Sequence, residues 1–374
     1  MSYESVDKLQ NLLADNVFTY TTDKKKAAGR ALGTFIEIIT YYLIKNWKLE
    51  TFAAIERPLP EFANDDITHN VEFTLHGSKK VLESSYTSTD SSISSTNLRK
   101  KHPELLSEAP AKSIMLIDKN NTIRNACTLF SHEASFYNAY INTTDKKYQI
   151  HELLNKPFAM FECKRVGVEE GMKKGPQTIE KAKQGSYVAR TVSALQRIRK
   201  TDGSLGGILQ KSDGTFIIKD YYELLNSIIE TNDPSLLKNF ILTVGVVSNH
   251  GNWFTSENPN KELRVLAQSY DWLIFLTDKG ISEFITELLI QPNNKYKAVK
   301  NAFDMSYKKD KIGNIFTKVK MDNECDIALC EYFKENSKKI ESWFNIIAPK
   351  EKTIATLRKE LELLASKKWW EVYS

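Results

Sequence analysis

The chain has few of the residues that build disulfide scaffolds, zinc clusters or membrane spans. Its 374 residues include four cysteines and six histidines, and neither type shows the paired spacing of structural zinc sites. No apolar run approaches the roughly 20 residues that cross a bilayer, and the polar N-terminus lacks a signal-peptide core. These absences predict a cytoplasmic protein with reduced thiols and no membrane partner.

The composition is that of a globular protein with a modest positive charge. Hydrophobic residues make up 41% of the chain and charged residues 26%, with only 15 glycines and 10 prolines, so a low-complexity chain is excluded. The formal net charge of +5 permits a polyanionic partner without requiring one. Residues 164–200 contain ten Lys or Arg and three Glu, so the positive charge is concentrated in one segment.

The residue pattern predicts helices near both ends of the chain and a mixture of strands and helices between them. The predicted helices are 5–16, 23–44, 148–155, 176–199, 220–230, 234–239, 259–268 and 280–289, with a mainly helical end. The predicted strands are a pair within 70–86, a pair within 114–130, and single strands at 134–141, 157–164, 240–247 and 272–276; residues 202–215 form turns. This order predicts an α/β fold with a mixed central sheet flanked by helices, in three regions: 1–110, 111–290 and 291–374.

The most informative segment is the strand that ends in Glu162, Cys163 and Lys164. Four apolar residues precede it, which is typical of a buried strand. Side chains alternate along a strand, so Glu162 and Lys164 lie on the same face, about 6–7 Å apart. In phosphodiester cleavage, the carboxylate can hold Mg²⁺ and the lysine can stabilise charge or position the attacking water. The alternative is a Glu–Lys pair that reaches solvent at a strand end.

The basic segment that follows predicts a nucleic-acid interface. Lysine and arginine side chains neutralise phosphates, which positions a duplex without reading it, and glutamine and arginine can contact base edges. The candidate DNA-binding residues are Lys173, Lys174, Gln177, Lys181, Gln184 and Arg190. The alternative is a solvated helix face.

The order of elements over about 114–276, together with Glu162-Cys163-Lys164, resembles the core of PD-(D/E)xK nucleases, and the flanking sequence resembles type II restriction endonucleases. The resemblance implies a restriction-endonuclease-like core, with Glu162 and the Cys163 carbonyl as Mg²⁺ ligands and Lys164 assisting the attacking water. It also implies a homodimer that cuts double-stranded DNA at a short specific sequence and leaves 5′-phosphate ends.

The resemblance also calls for an acid on a strand that precedes the E-x-K strand, but no Pro-Asp is found there. Asp118 ends an apolar strand, and Glu133 opens the run before the loop to the E-x-K strand, so both are candidate catalytic and metal-binding residues. Asp145 is a third candidate, in a polar turn. Glu37 resembles the acid that many family members carry on the leading helix; the alternative is a surface residue of that helix.

Two other functions are compatible with these residues. One is a non-catalytic nucleic-acid-binding protein that uses the basic helix 176–199. The other is a structure-specific repair nuclease with the same core. Metal-dependent nicking separates the first from a nuclease, and cutting at one defined sequence excludes the second.

Overall fold

The protein has a mixed α/β fold in which helices flank a central mixed sheet. The computed structural model describes residues 6–57, 71–87, 92–103, 113–165, 193–211, 213–238, 240–248, 266–307 and 313–374. Helices α1 (Val6–Asn16), α2 (Lys24–Asn46) and α3 (Ser95–Lys101) come first. The later helices are Tyr221–Glu230, Pro234–Leu237, Asp278–Ile285, Lys297–Tyr307, Asn323–Glu335, Ser337–Glu341, Ile354–Ala365 and Trp369–Val372. Within these ranges, no helix is both long and apolar enough to cross a bilayer.

Fifteen strands are described. They are β1 (Ala53–Ile55), β2 (Phe73–Ser85), β3 (Ile93–Ser94), β4 (Met115–Ile117), β5 (Thr122–Arg124), β6 (Cys127–Ser131), β7 (Ser135–Asn142), β8 (Lys147–Arg165), β9 (Leu195–Arg199), β10 (Leu205–Gln210), β11 (Phe216–Asp220), β12 (Leu242–Ser248), β13 (Trp272–Leu276), β14 (Lys320–Asp322) and β15 (Phe344–Ala348). The central sheet has the order β1-β2-β8-β12-β13-β15, and β7, which carries β6, also pairs with β8. Strands β8, β12 and β13 are parallel, whereas the other pairs are antiparallel. Two smaller sheets have the orders β11-β10-β9 and β14-β5-β4-β3.

Burial of the parallel strands explains their composition. Every residue of β12 and β13 is buried, as expected for strands covered on both faces. Helix α2 packs on one face of the sheet, where Tyr41 stacks on Phe73 with ring centroids 5.9 Å apart. One apolar cluster extends from Leu9 to Val372, so residues from all three predicted regions share a core.

Several predicted elements are confirmed. Helices α1 and α2 lie where the pattern places them, and the Asp23 carboxylate accepts a hydrogen bond from the Lys26 N–H at 3.0 Å to begin α2. The apolar strands β12 and β13 and the helix Tyr221–Glu230 are also found.

Two predictions around the E-x-K strand are wrong. The described part of 70–86 contains one long strand, Phe73–Ser85, with register shifts around His76 and after Lys80, rather than a hairpin. His76 is buried within this strand and donates from Nδ1 to the Leu154 carbonyl at 2.8 Å. Residues 148–155, predicted as a helix, belong to β8. Pairing with β2 on one side and β7 on the other satisfies the backbone of this segment, and such tertiary pairing overrides local propensity.

The prediction of a basic helix over 176–199 is also wrong at the C-terminal end, because Leu195–Arg199 forms β9 and pairs with β10. Strand β10 in turn lies in the segment 202–215 that was predicted to form turns. Residues 176–192 of this predicted helix lie outside the described residues, as do residues 259–265 of the predicted helix 259–268.

The packing around β12 predicts the effect of a small substitution. A Cβ atom at Gly245 would lie 2.6 Å from the Tyr270 ring, so we expect Gly245→Ala to lower the free energy of unfolding by about 1–3 kcal/mol through overpacking. Gly33, inside α2, has no such neighbour within 4 Å, and Gly33→Ala should raise stability by about 0.5–1 kcal/mol. Urea unfolding of both variants measures this; equal effects would contradict the packing at Gly245.

Candidate active site

Glu162 and Lys164 lie near the end of β8 and form an ion pair. Glu162 is 1% exposed, and its Oε1 is 2.6 Å from the Lys164 Nζ. A buried carboxylate is unfavourable without such a partner. The sequence-based expectation that the two side chains share one face of the strand is therefore confirmed.

The neighbours of this pair fix the end of β8 against the first two helices. Arg165 donates to the Gly29 carbonyl at 3.2 Å and to Gln10 Oε1 at 3.1 Å. Cys163, which alternates to the opposite face, is buried in the apolar cluster that includes α2. Burial raises the pKa of the Cys163 thiol far above its ordinary value, so its backbone carbonyl, and not its sulfur, is the group that it offers to a cation.

Glu72 directly precedes β2, the strand that pairs with the end of β8. Strands β2 and β8 are antiparallel with Phe73 opposite Phe161 as the terminal pair, so extending this register by one residue would set Glu72 opposite Glu162. Residues opposite each other in such a ladder have Cβ atoms about 5 Å apart. Glu72 is 6% exposed. Sequence reasoning missed it because a hairpin was predicted within 70–86, and a hairpin leaves no single long strand to pair with β8.

Lys318 gathers Glu72 and two further carboxylates. Its Nζ forms an ion pair with Glu72 and lies 2.7 Å from Glu37 Oε2 and 2.9 Å from Glu56 Oε1. The Lys318 side chain is 6% exposed, and its backbone carbonyl accepts a hydrogen bond from the Asn125 side chain at 3.3 Å. These acids come from α2, from the end of β1 and from the start of β2. Glu37 therefore belongs to a charged cluster.

The structure does not bring Asp118 or Glu133 to Glu162, which corrects the expectation that one of them completes the site. The Asp118 carboxylate accepts the Asn120 and Thr122 N–H groups at 2.8 and 3.0 Å, in the turn between β4 and β5 of the small four-stranded sheet.

Glu133 is exposed between β6 and β7, where its carbonyl accepts from the Asn155 side chain at 2.7 Å. Asn155 precedes Glu162 by seven residues on β8, or about 20 Å. Asp145 is also exposed, in a turn with Asn142. The reason for the mismatch is that β7, which Glu133 precedes, pairs with the first half of β8 and not with its end.

The predicted DNA contacts lie outside the described residues. They are Lys173, Lys174, Gln177, Lys181, Gln184 and Arg190. After Arg165, the structure describes three cations of the basic segment, Arg197, Arg199 and Lys200. Arg197 forms an ion pair with Asp271.

The donor groups suit a hard cation. Among the described residues, no group of three or more His, Cys, Asp or Glu side chains is arranged to hold a metal ion. Mg²⁺ is usually bound by only one or two carboxylates together with waters and substrate phosphates. Glu72, Glu162 and the Cys163 carbonyl offer oxygen ligands only, so the chemistry of this set fits Mg²⁺ and not a thiolate- or imidazole-binding metal.

A second buried polar network holds the β9–β11 sheet against the central sheet. Asp271 accepts the N–H and the hydroxyl of Thr243 at 2.8 Å each, the Tyr221 hydroxyl, and Arg197 Nη2 at 2.9 Å. A cavity of about 240 Å³ adjoins these residues. Thr243 lies two residues before Gly245, which pairs with Glu162, so the network is on the Glu162 face of the sheet.

The chain was compared with protein-family models, curated proteins and solved structures, and no match was found in any of the three comparisons. Relatives therefore assign no role to these residues. The structural basis for a function is the Glu162–Lys164 ion pair and the position of Glu72 directly before β2.

The network around Asp271 predicts a large stability effect. Asp271→Asn removes the charge that Arg197 pairs with, so we expect the free energy of unfolding to fall by about 3 kcal/mol. Asp15 is exposed, and Asp15→Asn should change stability by less than about 0.5 kcal/mol. Urea unfolding of the two variants measures the difference; a small effect at Asp271 would show that the network does not stabilise the fold.

Proposed function

We propose that the protein is a Mg²⁺-dependent endonuclease of double-stranded DNA, with a restriction-endonuclease-like core, that acts as a type II restriction enzyme in the cytoplasm. The observation that supports the proposal is the register of β2 and β8, which pairs Phe73 with Phe161, the neighbours of Glu72 and Glu162, while Lys164 pairs with Glu162. The nuclease core that these residues resemble requires an acid beside the E-x-K strand, and Glu72 would take that place.

The proposed roles follow from the chemistry of each group. Glu72, Glu162 and the Cys163 carbonyl would hold the cation. Bound Mg²⁺ would supply Lewis-acid chemistry, lowering the pKa of a coordinated water and neutralising phosphate charge. Lys164, whose side chain is 26% exposed, can reach a substrate, stabilise the charge that develops on the phosphate and help to orient the attacking water.

The basic segment 164–200 supports a DNA substrate through its charge. Its lysines and arginines would neutralise phosphates, and Gln177, Gln184 and Arg190 would contact base edges. A homodimer would present two sites, one for each strand of the duplex, and in-line attack by water would leave 5′-phosphate ends, as the resemblance implies.

Substitution of the three central residues tests the proposed roles. We expect Glu72→Gln, Glu162→Gln and Lys164→Met each to reduce DNA cleavage in Mg²⁺ by about 10²–10³-fold or more, since each removes charge that acts on the reacting phosphate. DNA binding measured in Ca²⁺ should stay within a few-fold of that of the wild type.

Glu133→Gln is the matched control, because Glu133 is exposed and distant from Glu162. It should cleave at the wild-type rate. Loss of cleavage in Glu133→Gln with full activity in Glu72→Gln would assign the second acid to Glu133 and contradict the site described above.

Digestion of a phage genome tests the substrate class. Incubation with Mg²⁺ should give discrete bands, and incubation with EDTA should leave the DNA intact, because the carboxylates need a divalent cation. A smear would indicate a nuclease without sequence specificity, cutting only at branched or damaged DNA would indicate a repair nuclease, and salt-dependent binding without any nicking would indicate a non-catalytic nucleic-acid-binding protein.

A further inference from the structure

Lys318 is a buried cation with three carboxylates within ion-pair distance. One ammonium lies among Glu37, Glu56 and Glu72, so these four described side chains carry a net charge of −2. A single carboxylate is enough to compensate a buried lysine, and carboxylates that share a site repel each other. Two of the three acids therefore exceed what Lys318 alone requires.

The positions of the three acids suggest a use for the other two. Glu72 is buried and directly precedes Phe73, which pairs with Phe161, the residue before Glu162, whereas the side chains of Glu37 and Glu56 are 27% and 50% exposed. A carboxylate oxygen that pairs with Lys318 is not available to a divalent cation in the same place. If Glu72 turns to such a cation, Glu37 and Glu56 still hold the ammonium.

We propose that Lys318 is a tethered counter-ion of the candidate active site: it holds Glu72 in the metal-free protein, competes with a divalent cation for that carboxylate, and is retained by Glu37 and Glu56 when the cation binds. This inference rests on the proposed function, in which Glu72 is a metal ligand. Lys318 is thus a positioning residue that acts through Glu72 and does not touch the substrate.

The simpler interpretation is that Lys318 only ties the segment before β14 to the central sheet. A tie of that kind lowers stability when it is removed but leaves cation affinity unchanged or weaker. Lys352 is a fair comparison, because its Nζ lies 2.6 Å from Glu360 Oε1 and 2.8 Å from Asn226 Oδ1. It is a partly buried ion pair away from Glu162.

Binding of Mn²⁺ to the full chain without DNA distinguishes the two interpretations. Titration calorimetry should show that Lys318→Met binds Mn²⁺ about tenfold or more tightly than the wild type, because the competing charge is gone. Its melting temperature should also rise more on addition of Mn²⁺ than that of the wild type. Lys352→Met should bind Mn²⁺ with wild-type affinity. Unchanged or weaker binding by Lys318→Met would overturn the proposal.

A second variant tests the proposal in case Lys318→Met does not fold. Glu56→Gln alters a half-exposed side chain and removes one of the two acids that retain the ammonium, so Lys318 should stay on Glu72 and Mn²⁺ should bind several-fold more weakly. Unchanged or tighter binding by Glu56→Gln would overturn the proposal.

These titrations test the role of Lys318 separately from the proposed nuclease activity. A wild-type protein that binds Mn²⁺ with the expected changes in the variants, yet never cuts DNA, would refute the nuclease and leave the role of Lys318 standing. A protein that cuts DNA but whose Lys318→Met variant gains no Mn²⁺ affinity would refute the role of Lys318 alone.

Discussion

The antiparallel register between β2 and β8 is the constraint on which the candidate site depends. A shift of one residue would separate Phe73 from Phe161, the neighbours of Glu72 and Glu162, and turn the side chains of one strand to the other face of the sheet. Buried polar contacts hold the register: His76 donates to the Leu154 carbonyl, and Ser78 lies 2.8 Å from His151 Nδ1. Burial lowers the pKa of His76 well below its ordinary value, so the ring stays neutral within the ladder.

Charge compensation is the second condition that the site must meet. Four carboxylates, those of Glu37, Glu56, Glu72 and Glu162, lie around the ends of β1, β2 and β8. Buried carboxylates are unfavourable unless cations or hydrogen bonds accompany them. Lys164 supplies one cation from the same strand, and the distant segment before β14 supplies Lys318. This excess of carboxylates over cations among the described residues is the electrostatic basis of the proposed Mg²⁺ site.

The fold explains why sequence reasoning singled out Glu162 and Lys164 but not Glu72. The apolar run before Glu162, the Ala-, Leu-, Ile- and Tyr-rich composition of α2 and the apolar strands β12 and β13 are local signals, and each was correctly assigned. The long strands β2 and β8 were divided into a hairpin and a helix, because their propensities are mixed and only pairing with neighbouring strands makes them extended. With β2 misassigned, the search for a second acid turned to Asp118 and Glu133.

The sequence by itself determined that Glu162 and Lys164 share a face at the end of a buried strand, because the alternation of side chains along a strand is a local property. It also determined the concentration of positive charge after that strand. Only the tertiary structure decided that β2, which Glu72 precedes, pairs with the E-x-K strand, and that Lys318 joins Glu37, Glu56 and Glu72. Both results depend on which strands pair and in which register, and pairing is set by the packing of residues that are far apart in the chain.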